Sequence, residues 1–281
     1  MQGCEPKYYS QYGEDFLLWR LFGHKVDGFY VDVGAFDGVF LSNTFSFEQC
    51  GWSGICVEPH PKYFPLCKQA RPRAVCLNVA CVSSDDVHAV GFYVEELGIL
   101  SGIQAGPEDN VRARYQKRGL DFKGFEKLTV PALTLNAILN DHLPPGVEID
   151  LLSIDVEGTE LQVLQGLDLR RFRPRVIVIE ANFKEAGKIL DAYLKKFGYI
   201  RAGKLFINAF YVQDLRDAEK LQAIPIDCEI ERSLHPMGEE YTLPDEGSLI
   251  RGRKLTWRRR PKKKRIREWV RRKLLMLLGA K

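Results

Sequence analysis

Hydrophobic and polar positions follow two periods along this chain. Short, nearly continuous apolar runs predict buried strands over residues 29–33, 55–58, 74–81, 88–94, 149–154 and 175–179. Between them the apolar spacing lengthens to that of helices, predicted over residues 10–22, from the Ser42-Asn43-Thr44 cap to about Cys50, from Pro61 to near Ala70, and over 159–167 and 184–197. Phe16, Leu17, Trp19, Leu21 and Phe22 form the apolar side of the first helix; Ile189, Leu190, Tyr193 and Leu194 form that of the last. Residues 131–139 end in a short helix, and residues 199–201 and 209–212 read as a hairpin. Strands alternating with helices imply a parallel α/β sheet, to which the hairpin adds an antiparallel edge. Residues 98–127 break the pattern: Gly, Asp, Arg and Lys dominate, and a loop of this length in a compact domain is expected to serve as a lid or binding loop. The domain reading is an α/β unit over residues 1–225, followed at 226–281 by an irregular extension.

The first strand breaks into Asp32-Val-Gly34-Ala-Phe-Asp37-Gly38, and the second ends at Glu58-Pro59. A strand, a glycine turn, a helix and a second strand tipped with a carboxylate form a nucleotide-binding unit in which Glu58 can take both hydroxyls of a ribose. The turn lacks the third glycine that wraps a pyrophosphate. Asp32 and Asp37 would repel phosphate and suit a cation, so the expected ligand is S-adenosylmethionine, which carries a ribose, a sulfonium and an ammonium but no phosphate. Asp155 closes the strand at 149–154 within Asp155-Val-Glu157-Gly, while Glu180 and Asn182 follow the strand at 175–179. Strand carboxyl ends border the ligand crevice in open α/β sheets. Three readings stand for this group. A carboxylate of Asp155, Glu157 or Glu180 acts as general base; Asp155, Glu180 and Asn182 hold a hard divalent ion such as Mg²⁺; or Asp155 merely caps the next helix. The five histidines make no metal-ligand spacing.

Ser10-Gln11-Tyr-Gly-Glu14-Asp15, Asp32 to Gly38, Ser42-Asn43-Thr44, Gly51 to Pro59, Ser101-Gly102 and Ser153 to Glu160 occur in the order and approximate spacing of FkbM-type methyltransferases. The resemblance covers residues 8–213. It implies a Rossmann-like, seven-stranded class I methyltransferase sheet that binds S-adenosylmethionine and methylates hydroxyls of sugars, glycolipids or polyketide-type products. It further implies that Asn43 and Thr44 lie near the methionine part of the cofactor and that Gln11 and Glu14 serve the site. The alternatives are N-methylation of an amino sugar and a catalytically degenerate, membrane-associated scaffold; retention of Asp32, Gly34, Glu58 and Asp155 argues against the second.

Charge changes this picture at one end of the chain. Residues 251–281 hold 15 Lys and Arg against the single acid Glu268, and the other 250 residues carry a net −10. Ile266, Trp269, Val270, Leu274 and Leu277 recur at helical spacing among the cations, which predicts a basic amphipathic helix beginning at Pro261. Residues 258–278 are expected to meet an anionic membrane surface, with nucleic acid as the weaker rival. The remaining partner is a small-molecule or glycan acceptor. Seven cysteines without a C-x-x-C pair, three of them in apolar runs, favour free thiols and a reducing compartment. Without an apolar leader or an 18-residue apolar run, the expected location is cytoplasmic, or peripheral on the inner face of the membrane.

Overall fold

The computed structural model describes Cys4, residues 6–116 and residues 119–224. The region 226–281, where the sequence predicts a basic helix, lies outside the described residues. Among the described residues, ten strands and eight helices are built around a seven-stranded sheet of order β3-β2-β1-β7-β8-β10-β9. Its strands are β1 (Phe29–Val33), β2 (Ser53–Val57), β3 (Ala74–Leu77), β7 (Leu151–Ile154), β8 (Val176–Glu180), β9 (Ile200–Leu205) and β10 (Asn208–Val212). The first five run parallel, and β10 and β9 close the sheet antiparallel.

The strand residues divide by strict alternation. Phe29, Val31, Val33, Ile55, Val57, Leu152, Ile154, Ile177 and Ile179 face one layer. There they meet α5 (Leu135–His142), α6 (Glu160–Gln165) and α7 (Lys184–Lys195) through Ile138, Leu164 and Leu190. Tyr30, Cys56, Leu151, Val176 and Val178 face the other. They meet α1 (Glu14–Leu21), α2 (Phe45–Gln49), α3 (Tyr63–Ala70) and α8 (Leu215–Ala223) through Leu18, Phe47, Cys67 and Leu221. Both faces are covered, which is why these strands read as continuous apolar runs.

Four segments depart from the sequence reading. The first helix begins at Glu14, because the Asp15 carboxylate accepts from the Tyr9 and Ser10 amides and the Ser10 hydroxyl, holding residues 9–13 as a loop. The predicted strand 74–81 is two: it leaves the main sheet after Leu77, and β4 (Ala80–Val82) joins a three-stranded sheet of order β4-β6-β5. The last two strands there are β5 (Ala89–Val94) and β6 (Glu126–Thr134). The segment 98–127 is not structureless. It contains α4 (Glu108–Gln116) and a small core of Leu100, Val111, Tyr115 and Phe122. Finally, Cys4 and Cys50 form a disulfide. This corrects the expectation of free thiols throughout: the loop fold brings Cys4 onto the end of α2, a proximity that sequence spacing does not express. Cys56, Cys67, Cys76 and Cys81 are free. Among the described residues no helix is long and apolar enough to cross a membrane.

Candidate active site

The carboxyl ends of β1, β2, β7 and β8 open into one cavity of about 510 Å³, within the range of small-ligand sites. Asp32 ends up there because β1 is an interior strand, registered against Cys56 on one side and Ser153 on the other. Gly34 follows with φ +87°, and a Cβ at that position would lie 1.8 Å from the Asp155 carbonyl oxygen. The turn after β1 and the turn after β7 therefore pack backbone to backbone, which glycine alone permits. Three further cavity-lining residues, Phe36, Leu41 and Glu157, also take positive φ. Such conformations in side-chain-bearing residues concentrate at binding sites.

Glu58 is buried, and its oxygens are individually engaged: Oε2 accepts from the Phe36 amide at 2.7 Å and Oε1 from the His60 amide at 2.7 Å. Each oxygen keeps a second lone pair, a pair of acceptors matched to a vicinal diol. Burial pushes the Glu58 carboxyl up to about 8, against these two amide hydrogen bonds and with Asp32 and Asp37 adding to the rise. Asp32, raised by burial to about 6, accepts from the Thr44 hydroxyl at 2.6 Å and pairs with Arg71 at 3.7 Å.

The β7–β8 side is more crowded. Oxygens of Asp155, Glu157 and Glu180 all lie within 4.8 Å of one another. Asp155 is exposed to the cavity, where desolvation by the surrounding side chains, with the neighbouring Glu180 and Glu160, raises its carboxyl above the usual range. Glu157 and Glu180 rise to about 8, chiefly by burial and then by each other's cluster. Asn182 lies beside the Glu180 carboxylate and moderates its rise, and Arg114 on α4 is the cation that reaches the cluster among the described residues. Asp155 does not cap α6: that helix has Thr159 at its N-cap, and the Gly158 amide is taken by Glu160.

Of the residues singled out in the sequence, Gln11, Asp32, Gly34, Asn43, Glu58, Asp155, Glu157, Glu180 and Asn182 line this cavity. Four others sit behind it. Thr44 holds Asp32. Asp37 accepts from the Val39 and Phe40 amides. Gly38 takes φ +84° with its carbonyl on Arg71 Nε. Glu14 is fully buried and accepts from Asn208 at 2.7 Å. Sequence reasoning missed Arg71, which is fully buried and also reaches Ser42, Thr44 and Glu48. It missed Arg114 as well. The first sits one residue past a helical run and the second inside the segment read as a loop, so neither carried a local signal.

The sheet order and the strand-end cavity define a class I S-adenosylmethionine-dependent methyltransferase fold. The Methyltransferase FkbM domain family matches residues 32–201, more than half of the chain, and the chain belongs to that family. No protein of curated function matches it. Solved structures similar to it include the METTL16 methyltransferase domain, at 12% identity and a TM-score of 0.39 over 70% of this chain and 64% of that one. A putative RNA methyltransferase from Pyrococcus horikoshii is similar at 10% identity and a TM-score of 0.38, over 71% and 83% of the two chains. A TehB-like S-adenosylmethionine-dependent methyltransferase from Corynebacterium glutamicum is similar at 12% identity and a TM-score of 0.36, over 72% and 88%. These likenesses are remote, and the fold assignment rests on the sheet order and the family match.

The residues present fit the cofactor this fold uses. Glu58 offers two free lone pairs to a ribose diol, and Val79, Ala80, Cys81 and Phe92 give an apolar wall beside it. The cavity is lined by the carboxylates of Asp32, Glu58, Asp155, Glu157 and Glu180 against the single guanidinium of Arg114, among the described residues. That balance calls for a positively charged occupant.

Proposed function

We propose that this protein is an O-methyltransferase acting on a hydroxyl of a sugar, glycolipid or related natural product. The observation that carries this reading is the carboxylate cluster of Asp155, Glu157 and Glu180, which lines the same cavity as Glu58 and Asp32. S-adenosylmethionine, when bound, supplies an electrophilic methyl group on a sulfonium. The chain's own task is to bring an acceptor oxygen into line with that methyl and to receive the proton the oxygen sheds. As the carbon–oxygen bond forms and the carbon–sulfur bond breaks, the hydroxyl proton passes to an ionised member of the cluster and from there to solvent. Carboxyls whose affinity for protons is raised this far are effective bases near neutrality. Asp155, on the turn that touches Gly34, is the member nearest the cofactor turn.

The same oxygens support a second reading, in which Asp155, Glu157 and Glu180, with Asn182 steadying Glu180, hold a divalent ion such as Mg²⁺ that lowers the hydroxyl pKa. Asp155→Asn decides whether the cluster acts at all: turnover should fall by about 10²-fold or more, with cofactor affinity largely kept. Turnover near that of the wild type would remove the cluster from the chemistry. Loss of activity in EDTA, with recovery in Mg²⁺, selects the metal; full resistance selects the base. An acceptor screen in which amino sugars, and not neutral glycosides, are methylated would replace O- by N-methylation.

Residues 258–278 lie outside the described residues, and from their sequence we propose that they bring the enzyme to an anionic bilayer. Each cation near such a surface contributes about 1 kcal/mol, and Trp269 and Leu274 would insert. The full-length protein should sediment with phosphatidylglycerol-rich vesicles in low salt. Trp269→Ser with Leu274→Ser keeps every charge and should release it; undiminished sedimentation of that double variant would discard the membrane reading.

A further inference from the structure

A second cluster of ligand-bearing side chains lies behind the cofactor turn and outside the cavity. Cys56 on β2, Cys67 on α3 and Cys76 on β3 place their three Sγ atoms within 4.8 Å of one another. The topology makes this grouping. Cys56 and Cys76 are direct register partners on adjacent parallel strands, so their side chains leave the sheet on the same face. Helix α3 crosses that face and lowers Cys67 onto the pair. Cys56 and Cys67 are completely buried, while Cys76 is half-buried and supplies a path from solvent. All three thiols are free, whereas Cys4 and Cys50 are joined and Cys81 belongs to the opposite layer of the core.

We propose that Cys56, Cys67 and Cys76 form a three-sulfur site for a soft metal ion, with Cu(I) as its best match. Thiolate ligands select Cu(I) and Zn²⁺ over hard cations. Structural Zn²⁺ sites take four protein ligands, and the cluster supplies three among the described residues. The carboxylates of the cavity are hard donors and are not grouped with these sulfurs. Coordination replaces S–H bonds with S–Cu bonds, and the protons leave to solvent. The guanidinium of Arg71 lies close enough to act on the charge of both Cys56 and Cys76, which offsets the negative charge three thiolates bring into a buried place.

The ion would tie α3 to β2 and β3 at a sensitive point. A side chain on Gly38 would meet Cys67 Sγ at 3.3 Å, so Cys67 forms the floor under the cofactor turn. The Arg71 amide closes α3 on the Cys67 carbonyl at 3.0 Å, and its side chain carries the Gly38 carbonyl.

The test titrates Cu(I) into the full-length protein under a non-coordinating reductant, in competition with bathocuproine disulfonate. The expected result is one Cu(I) retained per chain, a sulfur-only shell by X-ray absorption, and a rise in Tm on loading, as follows for an ion that binds only the folded state. Cys76→Ser should weaken retention by at least about tenfold, the loss typical even of groups one step removed from a metal, and should abolish the Tm rise. Cys81→Ser and Cys228→Ser should retain the ion. Cys76 is half-buried, so its serine variant tests the site even where Cys56→Ser or Cys67→Ser fails to fold; circular dichroism and S-adenosylmethionine titration verify its fold. Removal of Cu(I) from the wild type as readily as from Cys76→Ser overturns the proposal. So does retention that follows Cys81 or Cys228 instead of Cys76.

Discussion

On the β1–β2 side of the cavity, Asp32 and Glu48 share the buried guanidinium of Arg71, at 3.7 and 3.4 Å. On the β7–β8 side, Asp155, Glu157 and Glu180 face one another, with Arg114 reaching in from α4. Both groups set carboxylates close together around the β1 and β7 turns. The first is neutralised from within, its lone pairs filled by Thr44 and the Tyr30 hydroxyl. That arrangement fixes geometry. The second keeps its excess negative charge and its raised proton affinity, which suits groups that must gain and lose protons or accept a cation. The difference shows what a buried acid costs when its partner is part of the fold, and what it can do when its partner must arrive with the ligand.

The largest effect is expected from breaking the first arrangement. Arg71→Met removes the cation but keeps much of the bulk, leaving Asp32 and Glu48 buried and unpaired. Unfolding free energy should fall by about 3–5 kcal/mol, read by chemical denaturation; a fall under about 1 kcal/mol would mean that the pair is not held as described. Glu58→Ala should weaken S-adenosylmethionine binding by about 1.5–3 kcal/mol through loss of charged hydrogen bonds. An unchanged titration affinity would remove Glu58 from the site. Glu180→Gln should act in the opposite direction on stability. Relieving one member of the crowded cluster should raise the stability of the free protein by about 0.5–2 kcal/mol while turnover drops. Destabilisation by that change would show that the cluster is structurally satisfied after all.

The last effect is a pH dependence. Glu58, Glu157 and Glu180 titrate near 8 in the folded protein, against an ordinary value of 4.5. Between those limits the folded state binds more protons than the unfolded one. Its stability is therefore full below the lower value and is lost as pH rises through the higher one. The Tm of the free protein should fall between about pH 5 and about pH 8, and saturating S-adenosylmethionine should flatten the slope by bringing positive charge to the ionised carboxylates. A free-protein Tm that rises over this range would show that these groups are not raised.

Much of this architecture is legible in the chain because both faces of the sheet are covered. Phe29–Val33 and Val176–Glu180 are apolar at nearly every position, and their ends mark the cavity. Asp32, Glu58 and Asp155 are legible for the same reason: Asp32 is the one polar position of its strand, and Glu58 and Asp155 each follow a strand directly. What was hidden depends on distance along the chain. Arg71 acts on residues 23 to 39 positions earlier. The break at Asn78-Val79, which divides one apolar run between two sheets, has no glycine or proline to announce it. Helix α4 has a polar surface on nearly every side and buries only Val111 and Tyr115, too few to impose a helical period. The Cys4–Cys50 bridge spans 46 residues, and composition argued against it.

The segment between β5 and β6 has a consequence for how this enzyme could be diversified. Its small core of Leu100, Val111, Tyr115 and Phe122 is separate from the two layers that clamp the main sheet. It is organised on buried Glu95, whose carboxylate gathers the Leu97 and Leu100 amides and the Tyr115 hydroxyl. The described residues between 96 and 125 thus form a unit with a core of its own, tied to α3 by the Tyr63 hydroxyl on the Leu97 carbonyl. It overhangs the open side of the cavity through Ile99, Ser101 and Arg114. Replacing it wholesale would alter which acceptor fits without repacking a single strand of the cofactor half, so new acceptor preferences in this lineage can be acquired by grafting rather than by gradual remodelling of the core.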